Sequence, residues 1–257
     1  MPGRLSEIWI YPVKSLAGIR VRQAMVLEKG LEHDRRFMLV DSDNRFITQR
    51  EHPELALFDT KISGRQLHIT HRVTNQSVMV NLNPTSPAAL PATIWNDAVI
   101  VSEVDDKTSE WFAAQLNMTC KLVHFPEENP RPVDTRYVMD NEQVSLADGY
   151  PYLIIGQASL DDLNTRLAEP IGINRFRPNF VFTGGDPYEE DGWKDFSIGS
   201  IHFTGVKNCA RCVLTTVDPV SGKKGNEPLR TLSSYRKKNG KVVFGQNVVT
   251  KNEGIVT

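Results

Sequence analysis

Apolar positions along the chain recur at a spacing of two or in short unbroken runs, which is typical of β-strands. Ile19 to Leu27 alternates Ile and Val with Arg and Gln, and Phe37 to Val40 is continuously apolar. Turn residues separate such segments at near-regular intervals, which indicates a barrel or sandwich rather than alternating βαβ units. Further strands are predicted within residues 5–11, 57–62, 66–70, 77–81, 99–104, 120–125, 148–155, 174–182, 194–206, 212–217 and 242–249.

Helical signals are few and short. Asp105 to Leu116 has acids in its first turn, Ser159 to Leu167 begins at a residue suited to an N-cap, and Glu227 to Arg236 opens with Glu and Pro. A polar, proline-bearing linker covers Pro126 to Pro132. We therefore predict an α+β, predominantly β protein with two β-barrel-like parts, residues 1–125 and 126–257, and a few short helices.

The composition is that of an ordinary globular protein: 257 residues, 40% hydrophobic and 24% charged, with a net charge of −1. This near-zero charge disfavours nucleic acid and anionic membranes as partners. The N-terminus carries no apolar targeting segment, and no apolar run reaches membrane-spanning length. Three cysteines cannot form a disulfide framework in a chain of this size, so we expect a cytoplasmic protein that binds no membrane.

Two of the three cysteines lie in the stretch Asn208 to Pro219, where Cys212 opens a β-branched run that predicts a strand. Arg211 directly precedes Cys212 and would favour its thiolate, the form that attacks and binds metals. The Cys209-x-x-Cys212 spacing also fits a redox dithiol or a zinc site. A dithiol normally precedes a helix, however, and zinc needs further ligands. The pattern alone favours two small apolar side chains at a strand entrance.

Basic residues gather at loop-to-strand junctions. Lys14 and Ser15 share the turn after the first strand, and Arg35 and Arg36 precede Phe37. Arg50 follows the next hairpin. These arginines either converge on an anion or form ion pairs with neighbouring acids, and local sequence favours ion pairs. Guanidinium forks, a lysine and backbone N–H groups in glycine turns together suit a large anionic cofactor.

Four motifs carry a resemblance to a known family: Tyr11-Pro-Val-Lys-Ser-Leu16, Asp34-Arg35, Phe176-Arg-Pro-Asn179 and Cys209-Ala-Arg-Cys-Val-Leu-Thr-Thr-Val-Asp-Pro219. In this order they resemble the MOSC family, and more narrowly the mitochondrial amidoxime-reducing component and its bacterial relatives. The resemblance implies a MOSC N-terminal β-barrel domain over 1–125 and a molybdenum-cofactor-binding MOSC domain over 126–257. The family usually adds a further strand beyond the position of Thr257, so we expect that domain to lack its last strand.

The resemblance also implies roles for single residues. Cys212 would be the catalytic thiolate ligand of molybdenum, whereas Cys209 need not ligate. The remaining positions would hold or approach the molybdopterin: Lys14, Ser15, Arg35, Arg36, Asp148, Tyr150, Arg177, Arg211 and Asn247. The double arginine makes both Arg35 and Arg36 candidates for the same role.

The function implied is reduction of N-hydroxylated compounds, such as amidoximes, hydroxylamines and N-hydroxylated bases, by oxygen-atom removal at molybdenum. Three cysteines cannot hold an iron–sulfur cluster. Electrons are therefore expected from a ferredoxin-type or haem protein with its reductase, or from a missing C-terminal ferredoxin domain. Two alternatives stay open: a sulfur-carrier or pterin-binding MOSC module without its own redox turnover, and a plain binding module with structural cysteines.

Overall fold

The structure is a computed structural model that describes residues 3–85, 89–134, 136 and 141–257. It is predominantly β, as predicted. Its strands are β1 Arg4–Ile10, β2 Ile19–Val21, β3 Ala24–Leu27, β4 Gly30–Leu31, β5 Phe37–Val40, β6 Phe58–Ser63, β7 Gln66–His71, β8 Ser77–Asn81, β9 Ala89–Ile94, β10 Asp97–Glu103, β11 Lys121–His124, β12 Tyr152–Gly156, β13 Phe180–Thr183, β14 Asp195–Ile198, β15 Ile201–Ala210, β16 Lys237–Lys238, β17 Lys241–Thr250 and β18 Gly254–Val256. The helices are α1 Asp106–Leu116, α2 Gln157–Asn164 and α3 Leu229–Tyr235, and short 3-10 turns cover Pro53–Leu57, Ile173–Arg175, Glu189–Gly192 and Val213–Thr216.

The largest sheet interleaves the beginning of the chain with its second half. Its strand order is β14-β15-β17-β12-β13-β1-β2, with β16 on β17, and β1 runs antiparallel to β13. At the other end of the chain, β18 pairs with β3. The first two strands therefore complete a sheet whose other strands come from the second half of the chain. As a result, the turn that follows β1 lies next to the second half. The division of the chain at residue 126 stays a prediction.

The first half contributes two smaller sheets, β5-β11-β10-β9 and β6-β7-β8. Helix α1 begins where the Asp105 side chain accepts a hydrogen bond from the Thr108 N–H at 2.7 Å, and Phe112 anchors it in the core. These observations confirm the predicted α+β, predominantly β fold class. Among the described residues, no helix is both long and apolar enough to cross a membrane.

The structure corrects several local predictions. Cys212 does not open a strand: it precedes the 3-10 turn Val213–Thr216, in which the hydroxyl groups of Thr215 and Thr216 donate to the carbonyls of Cys212 and Val213. β-Branched residues raise strand propensity, but these local hydroxyl bonds stabilise a turn instead. Ser159 is not an N-cap, because α2 starts earlier and the Ser159 hydroxyl donates to the buried Glu190 carboxylate at 2.9 Å.

Candidate cofactor and substrate site

A cavity of about 620 Å³ opens where the turn after β1 meets the ends of β15 and β17. This volume is in the range of small-molecule sites. Among the described residues its lining holds one carboxylate, Asp148, against a set of basic side chains: Lys14, Arg35, Arg50, Arg136, Arg177, Lys207, Arg211 and Lys241. A chain with a net charge of −1 thus concentrates positive charge at one place, which suits an anionic ligand.

Asp148 joins two of these cations. Its carboxylate lies 2.6 Å from Lys14 Nζ and 2.7 Å from Arg50 Nη2. Burial alone would raise the pKa of Asp148, but the charges and hydrogen bonds of Lys14 and Arg50 hold it well below its usual range. Burial lowers the pKa of Lys14 to about 8, opposed by Asp148. At neutral pH the cluster therefore contains a carboxylate that orients an ammonium and a guanidinium.

Arg131 fixes the loop that carries Asp148. Its guanidinium is buried and donates to the carbonyls of Ser145 at 2.5 Å and Ala147 at 2.6 Å, while Asp97 on β10 accepts from it at 2.9 Å. A single side chain thus satisfies backbone acceptors that the irregular loop leaves without partners. Arg131 therefore holds the loop of Asp148 against Asp97 in the first half of the chain, which sets the position of Asp148.

Arg35 and Arg177 form the deeper part of the basic lining. Both guanidinium carbons lie 4.2 Å from the centroid of the Tyr11 ring. The fully buried Asp34 accepts from Arg35 at 2.5 Å, from the Tyr11 N–H at 2.7 Å and from Asn179 at 3.1 Å. Burial, and next the charge of Arg35, lower the pKa of Arg177 to about 10. Asp34 therefore ties together three of the four motifs that carry the family resemblance.

Three of the predicted binding residues have left-handed backbone conformations. Ser15, Arg35 and Arg177 have φ values of +70°, +51° and +54°. Residues other than glycine adopt this region at a cost in free energy, and such strain concentrates at ligand sites. The cavity also contains unpaired donors: Arg177 Nη2 and Arg211 Nε are buried and have no hydrogen-bond partner among the described residues. Buried donors of this kind are available to an acceptor group of a bound anion.

Two of the three free thiols, Cys209 and Cys212, line the cavity, but their partners differ from the expected ones. Arg211 Nη1 lies 2.9 Å from Cys209 Sγ, whereas Arg50 Nε lies 3.1 Å from Cys212 Sγ. The prediction that Arg211 favours the Cys212 thiolate is wrong. Arg211 lies just beyond the end of β15 at Ala210, and its guanidinium turns back to Cys209 and the Phe176 carbonyl. Arg50, distant in sequence, is the cation beside Cys212.

The other predicted positions divide into two groups. Tyr150 and Asn247 line the cavity with Lys14 and Ser15. Arg36 does not line it: its buried guanidinium donates to the carbonyls of Lys29 and Asp34 and pairs with Glu127 at 2.8 Å. The second arginine of the pair therefore points away from the cavity and serves the first half of the chain.

The predicted set lacks several lining residues, among them Arg50, Trp95, Lys207 and Lys241. Arg50 has a sequence signal, because it follows a predicted strand, as Lys14 does. Trp95 lies in the two-residue loop between β9 and β10, where a large aromatic side chain is unusual. Lys207 and Lys241 lie on β15 and β17, and only the pairing of these strands brings them to the cavity.

Comparison with known proteins agrees with this architecture. The model of the MOSC N-terminal beta barrel domain matches residues 2–119, and that of the MOSC domain matches residues 141–257. The chain is 34% identical to the Homo sapiens protein named mitochondrial amidoxime-reducing component 1, over 99% of this chain and 80% of that protein. The chain belongs to the MOSC family. It is also 35% identical to mitochondrial amidoxime reducing component 2 of Homo sapiens, over 91% of this chain and 72% of that protein.

A third relative of this MOSC protein has a different name. The chain is 32% identical to a protein of Arabidopsis thaliana named molybdenum cofactor sulfurase, over 94% of this chain but only 32% of that protein. The MOSC chain therefore corresponds to about a third of the sulfurase. The relatives confirm the predicted family. Their names, amidoxime-reducing component and molybdenum cofactor sulfurase, give two candidate functions to compare with the site.

Proposed function

We propose that this MOSC protein is a molybdenum-cofactor oxidoreductase that reduces N-hydroxylated compounds. One observation carries the proposal: Cys212, a thiol, lies in a cavity whose charged lining, among the described residues, is cationic except for Asp148. Thiolates bind soft transition metals, and arginine and lysine bind phosphate. Similarity to two proteins named for amidoxime reduction supports the reaction class.

The residues present fit such a group. Arg177 Nη2 and Arg211 Nε provide unpaired buried donors for an anion. Lys14, with a pKa of about 8, is protonated at neutral pH and adds positive charge. Cys212 Sγ lies on the cavity surface as a candidate metal ligand. We therefore assign the cradle of the pterin and its phosphate to Lys14, Ser15, Arg35, Arg177 and Arg211, with Tyr150 and Asn247 alongside, and we leave out Arg36.

When bound, molybdenum would supply the two-electron chemistry that removes the oxygen atom of an N–OH group. The chain's own residues would hold that group and fix the orientation of the side chains around it. Arg50 positions the Cys212 side chain through its 3.1 Å contact, and Asp148 fixes Arg50 and Lys14. Asp148 remains a carboxylate at neutral pH, so it orients these cations and does not deliver a proton.

The proposal is tested with protein produced in a host that makes the cofactor. We expect about one molybdenum per chain and turnover of an amidoxime when dithionite and a viologen supply electrons. We expect no turnover with NADH alone, because the sequence has no Gly-x-Gly-x-x-Gly after a strand for a dinucleotide. A fully loaded protein that reduces no N-hydroxylated compound with the chemical donor would refute the proposal.

A sulfur-carrier or cofactor-binding module is the second candidate. Two observations favour it: the similarity to the molybdenum cofactor sulfurase, and the presence of two thiols, Cys209 and Cys212, in one cavity. Such a module would bind the cofactor or carry a persulfide without reducing N-hydroxylated compounds. The second function would be established if protein that has bound the cofactor fails the turnover assay above and yet transfers labelled sulfur.

The electron source and the domain arrangement complete the proposal. With three cysteines the chain cannot build a four-thiolate cluster, so we propose a separate ferredoxin-type or haem donor, or a ferredoxin domain. We propose that residues 1–125 and 126–257 form the two domains, with β1 and β2 serving both. The cytoplasmic location stays a prediction, and the names of the first two relatives place those proteins in mitochondria.

A further inference from the structure

Trp95 has a backbone conformation that tryptophan rarely adopts. Ile94 and Asp97 pair across β9 and β10, so Trp95 is the first residue of a two-residue hairpin loop, and its φ is +56°. Both common turns of this length require positive φ at that position and are dominated by Gly, Asn and Asp. A bulky side chain there is a true outlier. The hairpin would form more readily with glycine.

Three contacts hold the indole in place. The guanidinium carbon of Arg50 lies 4.3 Å from the ring centroid, and Phe46 packs edge-on at 4.7 Å. The indole N–H donates to Asp148 Oδ1 at 3.3 Å. Although it is supported in this way, Trp95 remains 41% exposed. Its neighbours determine its orientation while much of the ring stays accessible.

The accessible indole belongs to the same cavity as Cys212. Arg50 connects them, because its Nε contacts Cys212 Sγ at 3.1 Å while its guanidinium stacks on Trp95. Leu214, two residues after Cys212, lines the cavity as well and is half-buried. The cavity, whose charged lining is cationic except for Asp148, therefore also has an apolar, aromatic wall on the side of the thiol.

We infer that Trp95, together with Leu214, forms a binding subsite for a planar aromatic group that carries the N–OH function of the substrate. An aromatic ring gains from stacked or edge-on contact with indole beyond its burial. Backbone strain that the surroundings maintain is common at ligand sites, and here it places the indole beside Cys212. This inference rests on the proposed function, of which it specifies the substrate class.

A purely structural role for Trp95 predicts a different result. If the indole only supports Arg50, its removal should impair every substrate to the same extent. Trp95→Gly and Trp95→Asn both suit the positive φ, so each variant should fold. Trp95→Phe keeps an aromatic face but loses the N–H bond to Asp148. Met79→Ala is the matched control, because Met79 is exposed on β8 and does not line the cavity.

The test compares benzamidoxime with acetamidoxime, which differ only in phenyl against methyl. Loaded protein is assayed with dithionite and a viologen, and benzamidoxime binding to unreduced protein is titrated calorimetrically. We expect Trp95→Gly and Trp95→Asn to lower the benzamidoxime-to-acetamidoxime ratio of kcat/KM about five- to tenfold and to weaken benzamidoxime binding to a similar extent. Trp95→Phe should lose less, and Met79→Ala should keep the wild-type ratio.

Equal losses for both compounds in Trp95→Gly, or an unchanged ratio, would overturn the subsite. A loss seen only with a protein donor, and not with the chemical reductant, would also overturn it and make Trp95 a partner contact. Failure of the wild type to reduce either compound would refute the proposed function instead. In that case the calorimetric titration still decides the subsite, since it requires no turnover.

Discussion

The Lys14–Asp148 ion pair offers a quantitative test of how the cavity is built. Lys14→Met removes the charge but nearly preserves the side-chain volume, and Asp148→Asn removes the opposing charge. Lys14 is buried, with Nζ 2.6 Å from Asp148 Oδ1 and 2.9 Å from the Leu146 carbonyl. A hydrogen bond between charged groups contributes about 1.5–3 kcal/mol. Asp148 is half-exposed and keeps Arg50 at 2.7 Å. We therefore expect a coupling free energy near the lower limit, about 1.5 kcal/mol.

The assay is urea unfolding at pH 7 of the wild type, both single variants and the double variant. The coupling is the free energy of unfolding that the single changes do not account for additively. Lys61→Met, a change of an exposed lysine on β6, is the control and should shift the unfolding free energy by less than about 0.5 kcal/mol. A coupling below about 0.3 kcal/mol would show that the pair does not stabilise the loop.

Further outcomes are expected from pH, cofactor retention and electron supply. Burial lowers the pKa of Lys14 from 10.5 to about 8, so between these pH values the unfolded chain keeps a proton that the folded chain has lost. The unfolding free energy of the wild type should therefore rise with pH relative to Lys14→Met, and a falling difference in urea titrations would contradict this. Arg177→Ala should lower pterin content, measured by fluorescence after release, more than it lowers stability. Unchanged pterin content would place the cofactor elsewhere. Adding a ferredoxin-type or haem donor with its reductase should make NADH an effective electron source, and robust turnover with NADH alone would reveal an unrecognised nicotinamide or flavin site.

Local chemistry explains which parts of the fold the sequence predicts. The run Phe37 to Val40 is buried on both faces and forms β5, and the Asp105 cap begins α1 as its acidic first turn indicates. In contrast, no local pattern shows that β1 inserts beside β13, because about 170 residues separate the paired positions. Sheet order depends on long-range pairing, so the interleaving of the two halves emerges only in three dimensions.

The same distinction applies to the candidate site. The turn with Lys14 and Ser15 and the entry with Arg35 follow or precede strands, and strand ends are where loops collect binding groups. Arg50 is 162 residues from Cys212, so sequence adjacency favours Arg211 as the partner of that thiol. The strand ends at Ala210, however, and Arg211, just beyond it, contacts Cys209 instead. Only the folded structure shows that Arg50 is the cation beside Cys212.

Amidoxime reduction per bound molybdenum, compared between Cys212→Ala and Cys209→Ala, tests the proposed function most directly. Both thiols line the cavity, and each has one arginine neighbour, so each variant serves as the control for the other. With dithionite and a viologen as donor, we expect Cys212→Ala to lose turnover, because it removes the proposed metal ligand, and Cys209→Ala to keep most of it. Equal loss in both variants, with molybdenum still bound to each, would contradict a single-thiolate site and indicate that both thiols take part in the chemistry.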